Sequence, residues 1–91
     1  MNKSIVETVI DNINENTTID NLQNIFTINV KFDSDMLIEI IKKQQEKGLK
    51  KYGHSIDDCP NNKYNWEIMA YEEIADFLIY NQKLININND N

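Results

Sequence analysis

The sequence predicts an all-α fold, a small helical bundle completed by homo-oligomerisation, and three observations carry that expectation. Apolar residues recur at helical spacing in three separate stretches, near 3–14, 35–47 and 66–84. Breakers are scarce, with two Gly and one Pro in 91 residues. The longest stretch, WEIMAYEEIADFLIYNQKL, is apolar on two sides: Ile68, Tyr71, Ile74, Ala75, Leu78 and Ile85 on one, and Trp66, Met69, Ala70, Phe77, Tyr80 and Leu84 nearly opposite. A helix greasy on two sides must be covered on two sides, and a chain this short buries a limited core, so a second copy is expected to complete it.

The first helix is expected over 3–14, where Ile5, Val6, Val9, Ile10 and Ile13 share a face and Glu7, Asp11 and Asn12 lie outside it. The polar run 14–18 breaks it, and Thr17 or Thr18 can cap a short second helix carrying Ile19, Leu22, Ile25 and Phe26. Then the period changes. Ile28, Val30 and Phe32 alternate with Thr27, Asn29 and Lys31, which suits a short extended or β segment at 27–32. A lone strand needs a partner, so this one is expected to pair with its symmetry mate or to lie across another subunit.

Asp33-Ser34-Asp35 is an N-terminal helix signal, a capping side chain followed by acid where the helix dipole favours negative charge. The helix it starts is expected to run from 35 to 47 or beyond, with Met36, Leu37, Ile40, Ile41 and Gln44 on one face and ion pairs Glu39–Lys43 and Lys42–Glu46 on the other. Gly48 is a plausible end or kink. The stretch 53–65, GHSIDDCPNNKYN, reads as an ordered loop, long enough to suggest that it serves a site. In it, His54 is not assigned as a general base, and Cys59 has no neighbouring His/Cys set for zinc. The organisation read from the chain is one domain: 1–32 as an interface segment, 33–85 as a helix–loop–helix unit, and 86–91 as a frayed tail.

Composition narrows the function. A net charge of −6 argues against DNA or RNA as main partner, since the only basic run is 42–51. No apolar run approaches membrane-spanning length, no signal peptide is read at the start, and one cysteine excludes an internal disulfide, so a cytoplasmic chain with no membrane partner is expected. Fifteen Asn and fifteen Ile read as the codon bias of an AT-rich genome, and the Asn-rich ends are therefore not taken as binding signals.

Chemistry is expected at Glu72, Glu73 and Asp76. Glu72 and Asp76 share a narrow polar stripe with Asn65 and Lys83, whereas Glu73 has Met69, Ala70, Asp76 and Phe77 as its helical neighbours. Its carboxylate is thus expected to be partly desolvated, a position that calls for a cationic partner or a metal ion. Three acids within one turn favour the metal, and the alternative is a solvated stripe from which Glu73 snorkels out.

Lys51-Tyr52-Gly53, Trp66, Glu72-Glu73-Ile74-Ala75-Asp76 and Tyr80, in that order and spacing over 37–84, resemble small phage-borne members of the MazG-like all-α NTP pyrophosphohydrolases. The resemblance implies hydrolysis of a nucleoside triphosphate to monophosphate and pyrophosphate, with Mg²⁺ as cofactor held by acids from two helices. Glu73 and Asp76 match the second-helix motif as metal ligands, with Glu72 in support. From the first helix Glu39 or Glu46 would contribute, although the family's Glu-x-x-Glu is incomplete here, because Lys42 and Lys43 stand where second carboxylates belong. Lys50 and Lys51 would contact phosphate, and Tyr52, Trp66 and Tyr80 would stack on a base. Two alternatives stand beside the enzyme. One is a non-catalytic oligomeric phage protein that binds and sequesters a nucleotide, such as a host defence signal. The other is an acidic module that binds a host protein.

Overall fold

The computed structural model describes residues 3–90, and among them the regular structure is helical. The elements are α1 (Ile5–Asn12), a 3-10 turn at Ile19–Asn21 that leads into α2 (Leu22–Ile25), α3 (Ser34–Tyr52), a second 3-10 turn at Ile56–Asp58, and α4 (Trp66–Asn89). They form two compact units, one of Met1–Val30 with Glu67–Asn91 and the other of Lys31–Trp66. No helix of the described residues is long and apolar enough to cross a membrane.

In the first unit each start is written in the local sequence. Ser4 caps α1 in a reciprocal capping box, its hydroxyl accepting from the Glu7 amide while the Glu7 carboxylate accepts from the Ser4 amide. Thr18 does the same with Asn21 at the first 3-10 turn. The Thr17 hydroxyl accepts from the Asn14 amide and tightens the intervening turn. These short elements are too brief to be helical alone, so packing must hold them. Val9 of α1, Phe26 after α2 and Leu78 of α4 form the buried core, with Leu22, Ile25, Ile74 and Ile79 against it. The amino-terminal segment, expected at a subunit interface, thus supplies four of these seven residues.

The extended segment meets a partner of an unexpected kind. No strand pairs with it among the described residues. Instead Asn81 of α4, only 1% exposed, takes the place of one: its Oδ1 accepts from the Asn29 amide at 2.7 Å and its Nδ2 donates to the Thr27 carbonyl at 2.9 Å. A carboxamide carries a donor and an acceptor side by side, as a neighbouring strand would present them. Within the chain, the segment therefore satisfies two of its backbone groups on the Asn81 carboxamide of α4. Beyond it Phe32 is exposed.

In the second unit the Asp33 carboxylate caps α3, accepting from the Met36 amide at 3.0 Å. The helix does not stop at Gly48, which lies in its interior. It ends at Gly53, whose left-handed φ of 76° lets its amide reach the Leu49 carbonyl. The ion pairs expected along α3 do not form; the ion pair among the described residues joins Lys3 and Asp11 on α1. Exposed pairs of this kind return little for the side-chain entropy they cost. Cys59 is buried in the loop. The Trp66 indole N–H donates to the Asn61 carbonyl at 2.8 Å and anchors the start of α4 to that loop.

The two glycines of this unit make opposite demands, and matched substitutions test them. A methyl group at Gly48 meets nothing within 4 Å, so Gly48→Ala should stabilise the helix by about 1 kcal/mol. At Gly53 the space is equally open but φ is positive, so Gly53→Ala should cost about 1 kcal/mol or more. Urea midpoints moving in opposite directions are the expected readout; a Gly53→Ala midpoint equal to the parent's would contradict the left-handed cap.

Candidate functional site

The acids of α4 lie on one stripe of the helix. Glu73 and Asp76 are three residues apart and Glu72 and Asp76 four, so all three carboxylates project from neighbouring turns. All three are exposed. This corrects the expectation that Glu73 is partly desolvated. Its neighbours Met69 and Phe77 are themselves about two-fifths exposed, at 41% and 40%, because nothing in the unit covers the second apolar face of α4. Tyr80, one turn beyond Asp76, is exposed on the same side. α4 also runs past the expected end near Leu84: the Asp90 amide bonds back to the Asn86 and Ile87 carbonyls, so of the tail expected to fray only Asn91 lies outside the described residues.

The remaining candidates belong to the second unit. Glu39 and Glu46 are exposed on α3. They sit two turns apart, roughly 10 Å along the axis, too far to share one ion. Lys50, Lys51 and Tyr52 gather in the last turn of α3. Lys51 Nζ lies 5.2 Å from the centre of the exposed Tyr52 ring, and His54 faces that ring at 6.4 Å. The His54 Nδ1–H donates to the Ser55 carbonyl, which leaves Nε2 as the open nitrogen. Trp66 is half-buried, its N–H engaged and Tyr64 set edge-on to its ring at 5.6 Å. Among the described residues no three His, Cys, Asp or Glu side chains converge as a group able to hold a metal ion. The α4 acids therefore offer a pair of ligands on one stripe rather than a closed cage.

Two clefts of about 500 Å³ each open in the first unit. One is apolar, with Leu22, Ala70, Tyr71, Ile74 and Ala75 along it. The other is lined by the carboxamides of Asn12, Asn29, Gln82, Asn88 and Asn89 over Phe26. Its lining carries no charge, so it suits neutral hydrogen-bonding groups and offers phosphate no cation. Sequence reasoning misses this cleft and Asn81 alike, since codon bias accounts for abundant asparagine without assigning any of it a role. The available signal is local: Asn81 stands among Phe77, Leu78, Leu84 and Ile85, in the most apolar stretch of the chain.

Comparison with family models, with curated proteins and with solved structures returned no match.

Proposed function

We propose that the chain is a MazG-like nucleotide pyrophosphohydrolase acting in the cytoplasm, in which Glu73 and Asp76, supported by Glu72, hold Mg²⁺ against the phosphates of a nucleoside triphosphate. The observation that carries this reading is the open stripe of three carboxylates on α4, none of them in an ion pair with a lysine among the described residues. A pair of acids suits this ion. Mg²⁺ commonly takes one or two protein carboxylates and completes its octahedron with water and substrate oxygens, whereas Ca²⁺ needs a fuller cage. When bound, the ion neutralises charge on the phosphates and orients water for attack. The chain's own contribution is to keep both carboxylates one turn apart on a rigid helix, with Tyr80 beside them as a surface for a base. In this reading the chain self-associates, since its bare apolar faces exceed what a chain this short can cover by itself.

Turnover of nucleoside triphosphates with and without Mg²⁺ tests it. Monophosphate and pyrophosphate are expected only with the ion, and Glu73→Gln or Asp76→Asn should lower turnover by about a hundredfold or more. Because Glu73 is exposed, the unfolding midpoint of Glu73→Gln should stay within about 0.5 kcal/mol of the parent. Product formation untouched by both substitutions would refute the assignment.

A second reading draws on a different observation. Lys50, Lys51 and the exposed Tyr52 ring bring cations and a stacking surface together within one helical turn, with Lys42 and Lys43 upstream where the enzyme motif calls for acids. That arrangement suits a protein that sequesters a nucleotide without Mg²⁺. Calorimetric titration separates the two: ligand bound tightly, recovered unchanged and lost with Lys51→Ala and Tyr52→Ala favours sequestration. No heat with any nucleotide points to a protein partner.

A further inference from the structure

α3 carries an apolar surface that its own unit leaves open. None of its residues is buried, and Met36, Leu37, Ile40 and Ile41 are 60%, 44%, 44% and 54% exposed. At 100° per residue Asp33, Leu37, Ile40, Gln44, Lys47 and Lys51 fall on one seam, spaced four and three residues in turn, the repeat along which helices pack lengthwise. This seam has an acid at its amino end and lysines at its carboxyl end. The asymmetry extends around the helix: Asp33, Asp35 and Glu39 lie before Ile40, and five lysines against the single Glu46 lie after it.

We propose that α3 pairs with α3 of a second copy, antiparallel, about a two-fold axis near residue 42. The inference rests on the self-association proposed above and specifies its surface and orientation. Charge selects the direction. In a parallel pair Asp33 faces Asp33 and the lysines face their own copies, with the two helix dipoles aligned side by side. In the antiparallel pair Asp33 of one copy comes opposite Lys51 of the other, Leu37 lies over the aliphatic stem of Lys47, and Ile40 lies over Gln44. Charge complementarity of this sort sets register and direction more than it sets affinity. The helix is about 28 Å long, and covering its open seam on both copies removes on the order of 1,000 Å² of surface, the lower end of what a specific interface needs. A reversible dimer is the expected strength.

Sedimentation equilibrium of the full chain and of the double variant Leu37→Lys/Ile40→Lys tests the surface. The parent should dimerise at about 100 μM, and the variant should dissociate about 30-fold more readily at unchanged far-ultraviolet helicity. A spin label on Ser34→Cys, in a chain with Cys59→Ala, tests direction. The antiparallel pair places the two labels roughly 25 Å apart or more, against about 10 Å for a parallel pair. A strictly monomeric parent overturns both this inference and the self-association beneath it. A dimer that the double variant leaves intact overturns the α3 surface alone, and the short label distance overturns the antiparallel direction.

Discussion

Asn81→Leu should destabilise the protein by about 2–4 kcal/mol, although it replaces a polar residue with an apolar one of similar size at a position only 1% exposed. Burial alone would make the change favourable. The hydrogen bonds reverse its sign. Leucine removes the acceptor of the Asn29 amide and the donor to the Thr27 carbonyl, and the segment 27–30 has no strand to replace them among the described residues. Each bond contributes roughly 1 kcal/mol net, and each backbone group left dry costs more than its bond contributed. Urea unfolding should show a lower midpoint. Amide exchange should show the Asn29 amide losing its protection ahead of the helices, because the clamp is the contact that orders this segment. A midpoint within experimental error of the parent would mean that water replaces the carboxamide at no cost, and the clamp would then be incidental.

Phe26→Ala should cost about 3–5 kcal/mol, the range for truncating a buried phenylalanine. The size of the effect follows from how few residues the first unit buries. Phe26 shares its core with Val9 and Leu78, and the elements it joins are eight- and four-residue helices, too short to persist without packing. Against a total stability of about 5–15 kcal/mol for a domain, such a loss removes a large fraction. Far-ultraviolet dichroism at 25 °C should fall by an amount matching α1 and α2, or the melting temperature should drop by about ten degrees or more, on the order expected for a domain of this size. Phe32→Ala is the internal control: exposed on the same segment, it should change the midpoint by less than about 0.5 kcal/mol.

Much of the local structure is legible in the sequence because it is decided within a few residues. Ser4 with Glu7, Thr18 with Asn21 and Asp33 before Met36 are caps whose donors and acceptors lie three residues apart, a distance a helix start imposes by itself. The apolar spacing of α1, α3 and α4 declares a helix wherever those residues end up. Gly48 is the ambiguous signal, since a glycine can either end a helix or sit within one. The helix ends instead at Gly53, where the left-handed cap has a carbonyl to satisfy at Leu49.

The candidate site divides in the same way. That Glu72 and Asp76 share a stripe, with Glu73 within one turn of both, follows from their spacing alone. Whether Glu73 is desolvated depends on what stands over Met69 and Phe77, and no spacing can state that.

Sequence by itself therefore determined the helical class, the positions of α1, α3 and α4, the cap of α3, and the grouping of acids on α4, because each rests on contacts within one or two turns. Tertiary structure alone decided that Leu78 meets Val9 and Phe26, that Glu73 stands in solvent, and that Asn81 serves as the partner of residues 27 and 29. These contacts join residues some fifty or more positions apart, as between Asn29 and Asn81. The reason is that a helical period specifies which residues share a face, while the occupant of that face is set by the closure of the chain upon itself.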